Sequence, residues 1–285
     1  MSAPPGVTVL GAGTMGAGIA QAAAQAGCEV CLVDTSEDAL ERALQRIRRA
    51  LDEGVARGRV SEPERAAALA RLRSRTDLDE AAGASALLIE AVPENLELKA
   101  QALRAAAGTL GPDAILASNT SSLSITELQH ALPRPGRVVG LHFFNPVHTI
   151  KLVEVVRGAD TAPEVVERAV AFVRSLGKEA VVVADSPGFA SSRLGVALGL
   201  EALRMLEEGV ASAEDIDRVM ELGYRHPMGP LRLTDLVGLD VRLAIAEHLA
   251  ATLGERFRPP EILRRLVAEG KLGRKSGHGF YRWAE

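Results

Sequence analysis

Cysteine is nearly absent from this chain, with Cys28 and Cys31 the two among 285 residues. Their C-x-x-C spacing is that of redox and zinc motifs. They sit, however, in the strand-like run CEVCLVD, where positions three apart point to opposite faces, so one strand does not offer both sulfurs to a common ligand. With no second pair, the expectation is two buried thiols in a reducing compartment. Charge of one sign is also missing: the formal net charge is -4 with 25% charged residues. That balance supplies no electrostatic attraction for nucleic acid or an anionic membrane. No apolar run approaches the ~20 residues of a membrane span, and MSAPPGVTVL lacks the basic region and long apolar core of a secretory leader. A cytoplasmic location is the expectation.

What is present reads as two domains. A chain of 285 residues with 47% hydrophobic content is long for one domain and can bury a sizeable core. Near the start, Val7 to Leu10 is short, β-branched and apolar, and it runs into Gly11-Ala-Gly13-Thr14-Met15-Gly16. Strand, G-x-G-x-x-G turn and helix follow in the order of a dinucleotide site. The first glycine permits the tight turn, the second lets backbone approach a pyrophosphate, and the third allows close helix packing. A second strand ends in Asp34, at the spacing where an acidic residue accepts hydrogen bonds from ribose hydroxyls. A carboxylate there repels a 2′-phosphate by about 1 kcal/mol in water and roughly 4 at an effective dielectric of 20, for charges ~4 Å apart. NAD is therefore favoured over NADP. The alternative role for Asp34 is to cap the helix that begins near Ser36.

Ser36 to Arg57 is predicted as a long charged helix, and Ser61-Glu-Pro-Glu64 as a capping box that opens a second. Ala86 to Val92 and Ala114 to Ala117 are predicted strands. They deliver Pro93-Glu94-Asn95 and Ser118 to Ser122 to the carboxyl ends of the sheet, where open α/β folds bind ligands. Arg137 to Gly140 leads into Leu141-His142-Phe143-Phe144-Asn145-Pro146, and Lys151 to Val156, which contains Glu154, forms a further strand. Oxidising a secondary alcohol requires a base for the hydroxyl proton. His142 is the candidate, with Glu154 as the partner that would fix its tautomer. Spacing alone does not bring the two side chains together. Phe143 and Phe144 read as core packing. His130, His148, His226, His248 and His278 lack comparable context, and with no H-E-x-x-H a metal site is not expected.

The stretch LHFFNPVHTIKLVEVV resembles the signature of the 3-hydroxyacyl-CoA dehydrogenase family. The resemblance extends through GAGTMGAGIAQ, VPENLELK, SNTSSL, DSPGF, HPMGPLRLTDLVGLD and KSGHGFY, nearly the whole chain. It implies an α/β Rossmann-type NAD-binding domain with a helical hairpin insertion over 1–185. An all-helical C-terminal domain over 186–285 would close on the substrate and mediate homodimerisation. It implies His142 and Glu154 as the catalytic pair, Ser121 as the group that bonds the substrate hydroxyl, and Asn145 as a donor beside the nicotinamide. Glu94, Lys99 and Lys275 would lie near the cofactor. The family's coenzyme A-contacting serine and lysine on the hairpin correspond to Ala50 and Arg57, so Arg57 is a substrate-binding candidate without its hydroxyl companion. Where relatives carry an asparagine after PGF to hold the substrate carbonyl, this chain has Ser192.

The resemblance implies an NAD-dependent oxidoreductase acting on L-3-hydroxyacyl-CoA, such as 3-hydroxybutyryl-CoA, in β-oxidation or the reverse direction. The alternatives are a relative that oxidises a free hydroxy acid, such as a sugar acid or carnitine, and a crystallin-like dinucleotide-binding protein without activity.

Overall fold

A computed structural model of the chain describes residues 6–78 and 85–283; residues 1–5, part of the N-terminal stretch discussed above, lie outside them. Contacts separate two units, Met1–Asp185 and Ser186–Glu285.

The first unit is built on one sheet. Its strands are β1 (Val7–Leu10), β2 (Val30–Val33), β3 (Leu72–Arg75), β4 (Leu87–Glu90), β5 (Ile115–Ser118), β6 (Val138–Phe143), β7 (Leu152–Arg157) and β8 (Glu179–Ala184), in the order β3-β2-β1-β4-β5-β6-β7-β8. From β3 to β6 every neighbour is parallel, the doubly wound arrangement in which the order reverses between β1 and β4. The central strands VTVL, LLIE and ILAS are near-continuous apolar runs because helices cover both faces of a parallel sheet. Edge strand β3, LRSR, has no such run and is not evident from hydrophobicity; its register with β2 makes it a strand. Cys28 is buried just before β2 and Cys31 half-buried within it; both are free, and burial pushes both thiols above their ordinary range.

Among the described residues the helices of this unit are α1 (Thr14–Gln25), α2 (Glu37–Ala56), α3 (Glu62–Ala70), α4 (Leu96–Thr109), α5 (Ile125–His130) and α6 (Pro163–Ser175). Side-chain oxygens start four of them: Ser36 accepts from Ala39 N–H, Ser61 and Glu64 form the reciprocal capping box, Asn95 accepts from Leu98, and Ser124 from Glu127. α2 and α3 form the hairpin.

β6 and β7 are joined by a short loop, too short for the crossover a parallel pair requires, so they run antiparallel. Their register places Leu141 opposite Val155, Phe143 opposite Val153, and His142 directly opposite Glu154.

The second unit holds α7 (Ser191–Glu207), α8 (Ala213–Gly223), α9 (Pro230–Val237), α10 (Leu239–Leu253) and α11 (Glu261–Ala268) around Val196, Leu200, Leu203, Ile216, Leu231, Leu249 and Leu263. Two buried aspartates organise its polar interior. Asp217 accepts from Leu231 N–H at 2.7 Å, Arg232 N–H at 2.8 Å and the Tyr281 hydroxyl at 2.7 Å. Asp235 accepts from the N–H groups of Phe280 and Tyr281 and from Trp283 Nε1, each at 2.9 Å. The segment KSGHGFY starts in a 3-10 turn (Arg274–Ser276) and then leaves the helical pattern: isolated bridges Gly273 to His278 and His278 to Arg282 fold it against Asp235. Gly279 lies so close to that carboxylate that a Cβ would sit 2.2 Å from Asp235 Oδ1.

Candidate active site

The glycine turn after β1 borders a cleft of about 880 Å³ lined by Gly11, Gly13, Thr14, Met15, Asp34 and Val92 among others. Each glycine has its own reason. Gly11 sits at φ +105°, and a Cβ on it would meet Ala91 O at 2.7 Å, so the turn needs both the conformation and the missing side chain. A Cβ on Gly16 would lie 1.8 Å from Gly11 O, which is the close helix–strand approach. A Cβ on Gly13 would meet nothing within 4 Å, so that position faces open space a ligand can take. The first turn of α1 has no acidic residue to offset its unpaired N–H groups. These features fit a dinucleotide diphosphate.

Asp34 ends β2 at the rim of the same cleft. Its Oδ2 accepts from Ala12 N–H at 2.8 Å and its Oδ1 from Ser36 N–H at 3.0 Å. The helix cap is Ser36, not Asp34. A carboxylate offers about four acceptor sites, so two backbone bonds leave capacity for ribose hydroxyls.

At the end of β6, His142 Nδ1 lies 2.8 Å from Glu154 Oε2. Both side chains are nearly removed from solvent, the residues being 6% and 1% exposed. With Nδ1–H donating to the carboxylate, the proton-accepting lone pair is on Nε2, and the carboxylate stabilises the imidazolium that forms. Phe143 is core, as expected. Phe144, expected in the core, is instead half-buried: its ring centroid stands 4.4 Å from that of His142 at a 44° tilt, so it holds the imidazole from one side.

A third group is assembled by loops. Glu94, after β4, has Oε1 within hydrogen-bonding distance of Thr120 Oγ1 (2.6 Å), Ser121 N–H (3.0 Å), Ser122 N–H (3.2 Å) and the hydroxyls of Ser121 (3.3 Å) and Ser122 (3.2 Å). Burial alone would push the Glu94 carboxyl up, but the Lys99 ammonium and these donors outweigh it and hold it below the usual range. Lys99 itself is 1% exposed. Its Nζ reaches Glu90 Oε1 at 2.8 Å, Val92 O at 3.0 Å and Glu94 Oε2 at 3.3 Å. The Lys99 ammonium is turned onto these protein partners, and the carbonyl it holds belongs to Val92, which lines the cleft. Glu90 is fully buried, which pushes its carboxyl up against Lys99, the Ser118 hydroxyl and Val92 N–H.

Asn119 links this loop to the histidine strand, because its Oδ1 accepts from Phe143 N–H at 2.9 Å. Asn119, Thr120, Glu90 and Ser118 were not among the residues singled out in sequence. The signal for Asn119 was its place directly after a strand, next to Ser121. β1, β4, β5 and β6 are consecutive neighbours, so the cleft, Glu94, Ser121 and His142 all lie at the carboxyl ends of parallel strands across about 15 Å of sheet. Asn145 is exposed just beyond β6.

A second cleft in the first unit, about 580 Å³, is lined by Arg46, Arg49, Arg57, Arg59, His148 and Lys178 among others. Arg57 caps α2 and pairs with Glu53 at 3.6 Å, both largely exposed. Lys178 Nζ donates to the carbonyls of Val147 and Ile150 (2.7 Å), which ties down the loop after Pro146; burial lowers its pKa. Among the described residues no cluster of three metal-ligating side chains occurs. In the second unit, Ser192 is half-buried in the first turn of α7, and Lys275 Nζ binds Asp240 Oδ2 at 2.6 Å.

Residues 6–186 match the model of the 3-hydroxyacyl-CoA dehydrogenase NAD binding domain, and residues 188–283 that of the 3-hydroxyacyl-CoA dehydrogenase C-terminal domain. A probable 3-hydroxybutyryl-CoA dehydrogenase of Bacillus subtilis is 44% identical over 280 residues, 98% of this chain and 97% of its own. A 3-hydroxybutyryl-CoA dehydrogenase of Mycobacterium tuberculosis is 43% identical over 278 residues, 96% of this chain and 97% of its own. The crystal structure of (S)-3-hydroxybutyryl-CoA dehydrogenase from Ralstonia eutropha superimposes with a TM-score of 0.94 at 41% identity, covering 99% of each chain.

Proposed function

The chain belongs to the 3-hydroxyacyl-CoA dehydrogenase family, and from that premise we propose that it interconverts L-3-hydroxyacyl-CoA and 3-ketoacyl-CoA with NAD, 3-hydroxybutyryl-CoA being the substrate. The observation that carries the chemistry is the 2.8 Å contact between His142 Nδ1 and Glu154. Gly11, Gly13, Thr14, Met15, Gly16 and Asp34 hold NAD, which when bound supplies the hydride acceptor. His142 Nε2 takes the hydroxyl proton in oxidation and returns it in reduction. The Glu154 carboxylate keeps the imidazole in one tautomer and orientation through both directions. Ser121 holds the substrate hydroxyl, its position set by Glu94, and Asn145 donates beside the nicotinamide. Neither a free-acid dehydrogenase nor an inactive crystallin-like protein is favoured.

The finer assignments are proposals of the same kind. The basic second cleft seats the phosphates of the coenzyme A tail, with Arg57 as one ligand. Ser192 and Lys275 serve substrate and cofactor from the second unit. Because Ser192 is shorter than the family's asparagine, Ser192→Asn is expected to raise turnover; a loss or no change would count against that alignment. Exposed Leu194 (71%), Leu222 (72%) and Tyr224 (72%) supply apolar surface for a homodimer through the second unit, which light scattering tests. No described helix is long and apolar enough to cross a membrane. We place the enzyme in the cytoplasm, in β-oxidation or its reductive counterpart.

The deciding assay follows NADH production with 3-hydroxybutyryl-CoA, free 3-hydroxybutyrate, a sugar acid and carnitine, for the wild type and His142→Gln. Activity on the CoA ester that is lost in the variant while NADH binding persists supports the proposal. Turnover of free acids alone, or binding without turnover, overturns it.

A further inference from the structure

α2 carries Arg42, Arg46, Arg48 and Arg49 and is capped by Arg57; of these Arg42, Arg46 and Arg49, spaced by four and three residues, follow one face of the helix, with Arg57 beyond its end. That face runs from one cleft to the other. Arg42 lines the dinucleotide cleft, Arg49 and Arg57 line the second, and Arg46 lines both. Arg46 is also tied to the cofactor end of the molecule, because its Nη1 donates to Thr14 Oγ1 at 3.1 Å, at the first residue of α1. Arg57 is partnered by the carboxylate of Glu53, whereas Arg46 reaches a hydroxyl.

We propose that Arg46 is a cation shared by the two clefts, standing between the diphosphate of the dinucleotide and the phosphates of the coenzyme A tail, so that binding of either ligand strengthens binding of the other. This rests on the reading of the second cleft as the coenzyme A seat. Two polyanions in adjacent clefts repel one another, and an always-charged guanidinium between them attracts both and so offsets that repulsion when both are bound. Its five N–H donors in a rigid fork can serve two acceptor groups at once. The conformational freedom of the long side chain is lost to whichever ligand binds first, so the second meets a group already in place. Linkage makes the coupling equal in both directions.

The test measures NADH affinity by fluorescence titration with and without saturating free coenzyme A, and coenzyme A affinity with and without NADH, by calorimetry. In the wild type each ligand is expected to tighten the other by about 5- to 10-fold, the low end of common coupling strengths. Pantetheine, which lacks the phosphates, is expected to give no such effect. In Arg46→Gln both ligands still bind singly, but coupling falls to about 1-fold or becomes antagonistic; Arg46→Lys retains part of it. Arg46 is exposed, and an unchanged melting temperature checks that the variant is folded. Full coupling in Arg46→Gln, or none in the wild type when both ligands bind, overturns the inference while leaving the proposed function intact. Failure of the wild type to bind coenzyme A at all removes the underlying reading and the inference with it.

Discussion

His142 and Glu154 meet because two strands pair, whereas Ser121 reaches the same end of the sheet because a loop is tied down. In the first case the register of β6 on β7 sets the two residues opposite each other, and backbone bonds on either side hold them there. In the second, a chain of side chains does the holding: Lys99 bridges Glu90 and Glu94, Glu94 gathers the Ser121 and Ser122 amides, and Asn119 fastens the loop to Phe143. The difference teaches where each half is vulnerable. Strand-borne chemistry can lose its proton transfer and keep its shape. A loop-borne group depends on a buried ion pair, and the removal of one partner leaves an uncompensated charge.

The largest expected effect separates the two halves through Glu154→Gln. The amide cannot hold the imidazole in the same tautomer, so kcat should fall on the order of 10²- to 10⁴-fold with KM and melting temperature little changed. Combining it with His142→Gln should cost little more than either alone, since the two act as one unit. Lys99→Met is the contrasting probe. It strands Glu90 in the interior and should destabilise by about 3–5 kcal/mol, a Tm drop of roughly 10 °C by calorimetry, whereas Lys99→Arg should retain much of the stability. If Lys99→Met instead lowered kcat alone, the loop-borne half would not depend on that pair.

Asn119→Ala tests the joint between the halves. It leaves Phe143 N–H without its acceptor, worth about 1–3 kcal/mol, and should raise KM for the acyl-CoA as well as lower kcat. The smallest effect is one of pH. The Glu94 carboxyl is held below its ordinary range, so its contribution to stability is present above about pH 4.3 and is lost as pH falls through the lowered folded value. Urea midpoints of the wild type and Glu94→Gln should therefore differ at neutral pH and converge on acidification; a gap that stayed constant with pH would show that Glu94 acts without its charge.

Much of this was legible beforehand. The G-x-G-x-x-G turn, Asp34 and the capping box at Ser61 are local features whose physics is complete within a few residues, and each is found in the expected element. His142 and Glu154 could be named as a pair, but not brought together, because twelve residues of separation are compatible with any register. Lys99 was placed near the cofactor by the family resemblance; its contact with the buried Glu90, nine residues earlier, is set by packing and could not be read beforehand. Phe144 looked like core because an aromatic residue beside a strand normally is, and its contact with the imidazole exists only once the β6–β7 loop is closed.

The amino-acid order alone determined the succession of strands and helices, the glycines that let backbone reach a diphosphate, and the chemical types available at each strand end. Tertiary structure alone decided which of those groups touch: the strand pairing that sets an imidazole on a carboxylate, the buried lysine that steers a loop, and the helix face that carries one arginine past two clefts. The reason is one of range. Turns and caps are settled by forces acting over a turn of chain, whereas register, burial and shared clefts are settled by packing between segments that sequence leaves far apart.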